Sequence, residues 1–274
     1  MQLGIFAKTF AAQGADAVFR AVRQAGYGAV QFNMACVGLP SLPRAVTAEL
    51  TAEIATAAKT HGVSISAVSA TYNMAHPDAS VRADGLRSLS VILQAATQMG
   101  SPMVTLCTGT RHTTDQWHWH KDNATPEAWA DMRAEMAKAL TLAEAHGVDL
   151  GIEPELANVV SNAALAKRLI DEMKSKHLRV VLDPANLFEV ETELKRNAII
   201  ADAVALLGDD IAMAHAKDRD AHGAFVAAGT GVIDFKSVLH QLREVGFDGP
   251  IITHGLTETE APQVASYLKS VMPQ

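Results

Sequence analysis

Short apolar runs rich in β-branched residues alternate along the chain with stretches in which apolar residues recur at helical spacing. The apolar runs are predicted strands, over 3–7, 28–33, 63–73, 102–109, 148–153, 178–183, 211–216 and 250–254. The stretches between them are predicted helices, over about 15–26, 47–61, 80–99, 125–147, 161–175, 192–207, 234–245 and 259–271. Glycine or proline follows most of these elements, as expected where helices and strands end.

The order of these elements predicts the fold. A strand followed by a helix, repeated eight times, is typical of a parallel sheet closed into an α/β barrel, the (β/α)8 or TIM barrel. An open doubly wound sheet is the competing prediction. The number of units and the lack of a GxGxxG pattern after the first strand favour the barrel. Because no stretch has linker composition, we expect residues 1–274 to form a single TIM-barrel domain.

Composition narrows the class of protein. Hydrophobic residues make up 49% of the chain and aromatic residues 5%, which suits aliphatic strands covered by alanine-rich helices. The formal charge of −7 at pH 7 argues against a nucleic-acid partner, because proteins that bind nucleic acid usually carry a basic face. Two cysteines are too few for a disulfide framework, and no window offers about 18 consecutive apolar residues for a membrane span. We therefore expect a cytoplasmic protein that does not bind membranes.

Four consecutive predicted strands end in a group that can bind a metal ion. These groups are Glu153, Asp183, His215 and His254. In a TIM barrel the carboxyl ends of the strands surround one mouth, so the four side chains should converge. Two carboxylates and two imidazoles suit Mn²⁺, Co²⁺, Zn²⁺ or Fe²⁺ better than Mg²⁺, which prefers oxygen. Each residue alone could be a solvated strand end or a core histidine, but four at equivalent positions predict one divalent site.

Several motifs resemble one protein family. They are GIEPE (151–155), VLDPAN (181–186), AHAKD (214–218), GTGVIDF (229–235) and FDGPIITHG (247–255), with NMAHPD (73–78) and TLCTGTR (105–111) in the first half. Over nearly the whole chain they resemble the sugar phosphate isomerase/epimerase superfamily, the xylose-isomerase-like TIM barrels. That group includes ketose 3-epimerases, inosose dehydratases, hydroxypyruvate isomerases and the more distant endonuclease IV.

The resemblance implies a metal site. Members of the superfamily bind one divalent metal through a strand-five Glu, a strand-six Asp, a strand-seven His or Gln and a strand-eight Glu. The first three carry over to Glu153, Asp183 and His215. The fourth position holds His254, which could bind the metal or act as a neutral base. Mn²⁺ is the expected ion, with Co²⁺, Zn²⁺, Mg²⁺ or Fe²⁺ as alternatives.

The resemblance also implies a reaction. Glu153 would remove a proton from a carbon beside a carbonyl, while the ion stabilises the resulting enediolate. The expected activity is isomerisation or epimerisation, and the expected substrate is a small sugar, polyol or sugar derivative. An inosose-dehydratase-like lyase is the alternative. An endonuclease-IV-like hydrolase, which needs several metals, and a non-catalytic barrel with a degraded metal site are two further hypotheses.

Further residues near the predicted strand ends are candidates for the pocket. Lys217 is a third candidate catalytic residue, because it shares the direction of His215 in a strand and could neutralise an enediolate oxygen. It could instead pair with Asp218 at the surface. The expected substrate-binding residues, each of which could instead have a structural role, are Asn73, His76, Arg111, Glu155 and Asn186. Asn186 stands where the epimerases often carry a substrate-binding His.

Two loops leave alternatives open. Residues 117–120, with the sequence Trp-His-Trp-His, could form a lid that stacks on a sugar, or a loop packed on its own barrel or on a second subunit. Residues 229–231, Gly-Thr-Gly, could hold a phosphate, or form a short turn before a helix capped by Asp234. The tryptophan loop and the resemblance both favour a homo-oligomer, either a dimer or a tetramer.

Overall fold

Residues 1–273, which the computed structural model describes, form a ring of parallel strands surrounded by helices. The strands are β1 (Gln2–Phe6), β2 (Ala29–Phe32), β3 (Ser64–Ser69), β4 (Met103–Leu106), β5 (Asp149–Ile152), β6 (Leu178–Leu182), β7 (Ile211–Arg219), β8 (Phe225–Ala227) and β9 (Pro250–Thr253). The helices are α1 (Ala15–Gln24), α2 (Ala48–His61), α3 (Ala79–Met99), α4 (Pro126–His146), α5 (Ala163–Met173), α6 (Glu193–Leu207), α7 (Phe235–Glu244) and α8 (Ala261–Val271).

Strand pairing closes the sheet into a barrel. β1 pairs in parallel with β2 on one side and with β9 on the other, and β6 pairs in parallel with both β5 and β7. β8 is antiparallel to β7 and is added to the end of that strand. The predicted TIM barrel is therefore confirmed. The competing open sheet is wrong, because an open sheet has two unpaired edge strands and this one closes on itself.

Two apolar regions hold the barrel together. The larger region fills the layer between the strands and the helices. The smaller region lies inside the ring of strands. Gly151 of β5 faces this interior. A Cβ added there would lie 2.7 Å from the sulfur of Met103 and 2.8 Å from a methyl group of Val181, so β5 needs glycine at this position. The interior is thus a packed core rather than a pore. The residues of this smaller, interior region are Ala67, Met103, Val181, Met213 and Ile252.

Local capping sets the ends of the helices. The side chains of Thr47 and Thr125 accept hydrogen bonds from backbone N–H groups in the first turns of α2 and α4. The same helices end at Gly62 and Gly147, whose φ angles of +63° and +64° favour glycine. Because these signals are local, the predicted bounds of α2 and α4 nearly match the observed ones. None of the helices within residues 1–273 is long and apolar enough to cross a membrane.

The third predicted strand is shorter than expected. It was predicted over 63–73 and ends at Ser69 in the structure. The chain then leaves the sheet, and the ring of Tyr72 packs against Gly85 of α3, where an added Cβ would lie 2.0 Å from the ring. The Tyr72 hydroxyl also donates to the buried carboxylate of Glu135 at 3.3 Å. The segment after Ser69 therefore forms part of the barrel mouth.

The seventh predicted strand is longer than expected. It was predicted over 211–216, but β7 continues to Arg219 and turns back into β8, which was not predicted. The turn is held by Asp220, whose carboxylate accepts hydrogen bonds from the backbone N–H groups of His222 at 2.8 Å and Ala224 at 2.9 Å. A strand of three residues is too short to produce a recognisable periodicity. This β7–β8 hairpin stands beside the mouth of the barrel.

Candidate metal centre

The structure brings the four side chains at the ends of the second-half strands together. Glu153, Asp183 and His254 each follow the last residue of β5, β6 and β9, and His215 lies within β7. One ligand atom from each residue lies within 4.8 Å of the others. Because β5, β6, β7 and β9 are consecutive neighbours around the barrel, strand topology alone accounts for this convergence.

Asp183 is the innermost of the four residues and is fully buried. One carboxylate oxygen accepts a hydrogen bond from the backbone N–H of Ala185 at 2.9 Å. The other oxygen lies 3.1 Å from Nε2 of His254, 3.2 Å from Nζ of Lys217 and 3.6 Å from Nδ1 of His215. Burial favours the neutral acid, but the Lys217 ammonium and the two imidazoles outweigh burial and hold the pKa of Asp183 well below its usual range.

Glu153 stands beside Asp183 and faces the open mouth, with 20% of its side chain exposed. Its carboxylate oxygen Oε1 lies 3.4 Å from Nδ1 of His215 and accepts a hydrogen bond from Nδ2 of Asn186 at 2.5 Å. Oδ1 of Asn186 in turn accepts a hydrogen bond from Nζ of Lys217 at 2.8 Å. Burial acts to raise the pKa of Glu153, but the neighbouring His215 outweighs it and the pKa is lowered. Asn186 therefore fixes both Glu153 and Lys217.

The ring of His215 tests whether these residues fit a metal ion. Its Nε2 is 2.8 Å from Oε1 of Gln31, whose amide nitrogen donates to the Thr105 hydroxyl at 3.1 Å. This orientation of Gln31 makes Nε2 the protonated nitrogen of a neutral His215 ring. Nδ1 is buried, has no hydrogen-bond partner among the described residues, and lies 3.4 Å from Glu153 and 3.6 Å from Asp183. Once Nδ1 is deprotonated, its lone pair points at the space beside two carboxylates, which fits a metal ion.

Electrostatics explain how His215 behaves without an ion. Burial alone would lower its pKa, but the carboxylates of Glu153 and Asp183 outweigh burial and raise the pKa to about 9. In the metal-free protein at neutral pH the ring is therefore a cation that balances the two acids. A divalent ion would replace that proton, because a metal ligand must be deprotonated.

His254 completes the cluster from the last strand of the barrel. Its ring centroid lies 4.4 Å from that of His215 and 6.5 Å from that of Phe6, in an edge-on arrangement. Burial and the nearby His215 lower the pKa of His254, so its ring is neutral and can bind a metal. The donor set is thus two carboxylates and two neutral imidazoles once an ion is bound. Such a set fits Mn²⁺, Co²⁺, Zn²⁺ or Fe²⁺, and the residues present fit the predicted ion.

A cavity of about 1040 Å³ opens above the cluster. Glu153, His215 and His254 line its floor, and Glu155, Asn186 and Lys217 line it beside them. Burial and the charge of Glu153 raise the pKa of Glu155 to about 7. The cavity therefore brings the candidate base, three of the four candidate ligands and three further predicted residues to one space.

Lys217 does not pair with Asp218. Its Nζ lies 3.2 Å from Asp183 and 3.9 Å from the centre of the Phe225 ring, and the residue is 6% exposed. The expected alternative, a surface lysine, is thus wrong, because the hairpin β7–β8 covers this side chain. Phe225 also lies 4.0 Å from the guanidinium carbon of Arg219.

Asp218 instead organises the loop after β8. Its two carboxylate oxygens accept hydrogen bonds from the backbone N–H groups of Gly229, Gly231 and Ile233 at 3.0–3.1 Å. Asp234 then caps α7 by accepting from the Ser237 N–H at 3.2 Å. The amides that bind phosphate in many barrels are therefore already bonded, which agrees with the reading of 229–231 as a turn.

Two predicted substrate-binding residues line the cavity but bond to the backbone. The Asn73 side chain accepts from the Thr110 N–H at 2.9 Å and donates to the carbonyl of His112 at 3.3 Å. Nε2 of His76 lies 3.0 Å from the Thr113 carbonyl, and Nδ1 accepts from the Asp78 N–H at 3.0 Å. Both side chains therefore hold the loop after β4 in place.

The structure does not bring Arg111 to the cavity. Its guanidinium donates to the carbonyl of Ala75 at 3.2 Å and pairs with Asp131 of α4 at 2.8 Å. Arg111 is absent from the lining of the cavity within the described residues. Its position in the sequence, at the start of a long loop, gave no information on the direction of its side chain.

Sequence reasoning did not single out Gln31, although it binds His215. The signal was present, because Gln31 is a polar residue in the short, fully buried strand Ala29–Phe32. A buried amide needs hydrogen-bond partners, so such a residue indicates a polar partner inside the barrel. That the partner is His215 depends on contact across the barrel and is not visible from spacing.

Comparison with known proteins agrees with the fold. Residues 19–271 match the model of the family described as the xylose isomerase-like TIM barrel. The chain belongs to this family. No curated protein sequence matches the chain.

Solved structures similar to this member of the family include three sugar epimerases. One is the 3-keto-D-glucoside 4-epimerase of E. coli in its apo form, with a TM-score of 0.78 and 17% identity over 98% of this chain and 99% of that one. A second is the D-psicose 3-epimerase of Clostridium cellulolyticum H10 with D-tagatose, with a TM-score of 0.78 and 14% identity over 100% of both chains. An L-ribulose 3-epimerase has a TM-score of 0.74 and 18% identity over 98% of this chain and 92% of that one. At these low sequence identities, the similarity of the structures shows the fold alone.

Proposed function

We propose that the protein is a divalent-metal-dependent isomerase or epimerase that acts on a small sugar, polyol or sugar derivative. The observation that carries the proposal is the convergence of Glu153, Asp183, His215 and His254 below a cavity large enough for a carbohydrate. The names of similar structures, which are sugar epimerases, support the same reaction class.

The four converging residues would hold the ion, which we propose to be Mn²⁺. A bound divalent ion would act as a Lewis acid and stabilise negative charge on substrate oxygens. The two carboxylates would balance its charge, and Gln31 would keep the lone pair of His215 directed at it through the bond to Nε2.

Glu153 is the proposed general base. Its side chain is 20% exposed and lines the cavity, whereas that of Asp183 is fully buried, so of these two carboxylates Glu153 is the one that can reach a C–H bond of a bound sugar. The lowered pKa of Glu153 keeps its carboxylate anionic at neutral pH. The hydrogen bond from Asn186 fixes its orientation. Glu153 removes a proton from the carbon next to the substrate carbonyl, and returning it to the neighbouring carbon gives isomerisation. Epimerisation needs a second proton donor that reaches the opposite face of the same carbon.

Lys217 is the proposed electrostatic partner of that step. Its ammonium lines the cavity and is held between Asp183 and Asn186, so it offers a fixed positive charge close to Glu153. Glu155 also lines the cavity, where its oxygens can accept hydrogen bonds from sugar hydroxyls. In this scheme Asn186 positions the base.

His254 is proposed as a metal ligand rather than as a second base. Its Nε2 lies 3.1 Å from Asp183 and so points into the cluster. One base would then face the substrate, and a single base suits transfer between neighbouring carbons or loss of a β-hydroxyl group. This replacement of a strand-eight Glu favours an inosose-dehydratase-like lyase as the second candidate function.

Deuterium exchange tests the proposal directly. The protein is incubated with Mn²⁺ in heavy water and with a panel of ketoses, inososes and keto acids, and deuterium at carbon is followed by NMR. We expect exchange next to the carbonyl of at least one substrate, and none after the metal is removed with a chelator. A new stereocentre or a moved carbonyl indicates the isomerase, and new enone or dicarbonyl absorbance indicates the lyase. No exchange across the panel with bound metal would contradict both.

Three other expectations stay predictions. Light scattering after size-exclusion chromatography checks the homodimer or homotetramer, and fractionation of cells checks the cytoplasmic location. Metal analysis of the purified protein separates an enzyme from a non-catalytic barrel, which would contain no divalent ion.

A further inference from the structure

The cavity above the candidate metal centre is larger than one sugar ring needs. Its volume of about 1040 Å³ lies at the upper end of the range of about 300–1,000 Å³ for small-molecule pockets, which hold drug-sized ligands. A single ring placed against Glu153, His215 and His254 would fill only the inner part. The outer part of the cavity has its own walls, and its chemistry indicates what occupies it.

Three segments from the first half of the chain form the outer part. They are the loop after β2, the first turns of α3 and the loop after β4, represented in the lining by Ser41, Arg44, Asp84, Ser88, Thr114 and Trp117. Arg44 and Asp84 form an ion pair of 3.2 Å, and both are largely exposed. Hydroxyls, a carboxylate and a guanidinium are groups that bond to sugar hydroxyls, and an indole face packs against the C–H face of a ring.

Trp117 is held in place by its backbone while its ring stays uncovered. The side chain of the buried residue Asn158 donates to the carbonyl of Gln116 at 3.3 Å and accepts from the N–H of Gly109 at 2.8 Å. The Asp115 carboxylate accepts from the Trp117 N–H at 2.9 Å. Trp117 is nevertheless 51% exposed and lines the cavity. An uncovered aromatic ring on a backbone that is held in place reduces the ordering needed when a ligand covers it.

Trp119 provides a matched comparison within the same loop. It is 61% exposed, two residues further along, and does not belong to the cavity lining within residues 1–273. The two tryptophans therefore share chemistry and loop but differ in access to the cavity.

The loop that binds phosphate in many barrels offers no phosphate site here. The amides of Gly229, Gly231 and Ile233 all donate to the carboxylate of Asp218, so a phosphate would meet a carboxylate there. The Lys217 ammonium already lies beside the Asp183 carboxylate and donates to Asn186. The usual phosphate loop is therefore already bonded and lies outside the cavity lining of the described residues, which favours a substrate without a phosphate group there.

We propose that the outer part of the cavity is a second sugar subsite, and that the substrate is an unphosphorylated glycoside or disaccharide with a carbonyl group on one ring. This inference rests on the proposed function, because the ring with the carbonyl must reach Glu153. The second ring stacks on Trp117, with its hydroxyls near Arg44 and Asp84.

Binding tests this subsite independently of turnover. Glucose, a set of glucosyl disaccharides of different linkage and glucose 6-phosphate are titrated by calorimetry into the metal-free and the Mn²⁺-loaded protein. We expect at least one disaccharide to bind about tenfold more tightly than glucose, since one stacked ring contributes about that much. Glucose 6-phosphate should bind no more tightly than glucose.

Variants identify the residue responsible. Trp117→Ala should remove the advantage of the disaccharide, Trp117→Phe should retain most of it, and Trp119→Ala should leave it unchanged. Thermal unfolding confirms that each variant is folded. Equal binding of glucose and every disaccharide, an advantage that survives Trp117→Ala, or preferred binding of glucose 6-phosphate would overturn the proposal. A Trp117-dependent preference without deuterium exchange into any keto-glycoside supports the subsite and contradicts the proposed reaction.

Discussion

The two halves of the barrel differ in what they contribute to the mouth. The second half, from β5 to β9, supplies every candidate metal ligand, and these side chains are tied to one another. The first half supplies long loops whose polar side chains bond mainly to backbone, as Asn73 and His76 do. Strand ends fix side chains precisely enough for chemistry, whereas loops shape the space around it. The comparison predicts that changes in the second half alter the reaction and that changes in the first half alter binding or stability.

The largest effect is expected at Glu153, in the second half. Glu153→Gln removes the proposed base without changing its size, so the rate of deuterium exchange should fall by about 10²–10⁴-fold. Circular dichroism and thermal unfolding should show an intact fold. Asp149→Asn is the matched control, because Asp149 is at the opposite end of β5 and bonds to His177. An unchanged exchange rate in Glu153→Gln would contradict the assignment.

The next effect is expected at His254. His254→Ala removes a proposed ligand and should weaken Mn²⁺ binding by more than the about 10–100-fold caused by loss of an outer partner. Competition with a fluorescent chelator measures the affinity. His112→Ala serves as the control, because His112 lines the same cavity from the first half. Equal affinities in the two variants would mean that His254 lies outside the metal site.

Gln31 lies in the first half of the chain but contacts a candidate metal ligand, His215. It is therefore the first-half residue whose change should affect metal binding. Gln31→Leu removes the acceptor that keeps the His215 lone pair directed at the carboxylates. Metal affinity should fall by about 10–100-fold while the fold is retained. The same chelator competition applies. If affinity is unchanged, the orientation of His215 is set by other contacts.

The pH dependence of metal binding and of stability gives a further test of His215, in the second half of the chain. The pKa of His215 is raised to about 9 without metal, so binding an ion at neutral pH must displace a proton. Metal affinity should therefore rise about tenfold per pH unit up to about pH 9.

The ionised His215 stabilises the metal-free protein fully below its unfolded pKa of about 6.5, and this stabilisation is lost as pH rises through about 9. Thermal unfolding of metal-free protein between pH 6 and 10 checks the direction of this change in stability. A metal affinity that does not depend on pH would contradict the raised pKa of His215.

The smallest effect is expected at Arg111, in the first half. Arg111→Ala removes the bonds to Ala75 and Asp131, so the free energy of unfolding should fall by about 1 kcal/mol. KM should not change, because the side chain lies outside the cavity lining. Steady-state kinetics and denaturant unfolding measure the two quantities. A large rise in KM without loss of stability would place Arg111 in the substrate site after all.

The barrel and the metal cluster could be predicted because both depend on local pattern and on topology. A strand ends where Pro154 or Pro184 follows, and neighbouring strands of a parallel barrel end at one mouth. The four ligands therefore follow from residue order. The structure adds the burial of Asp183 and the orphaned nitrogen of His215, which depend on packing.

Other features depend on contacts that spacing does not encode. Gln31 meets His215 across the barrel, and 184 residues separate them in sequence. The direction of Arg111 is decided by Asp131 on a helix beyond its loop. β8 is too short to show a period, although it determines that Lys217 is covered.

The central claim is that four side chains from consecutive strands bind one divalent ion. Anomalous diffraction from crystals of the protein grown with Mn²⁺ or Zn²⁺ tests it most directly. The account predicts one ion per chain, with atoms of Glu153, Asp183, His215 and His254 each about 2.0–2.3 Å from it. A fully occupied ion elsewhere, or one in this site with both His254 nitrogens well beyond about 2.5 Å, would contradict the account.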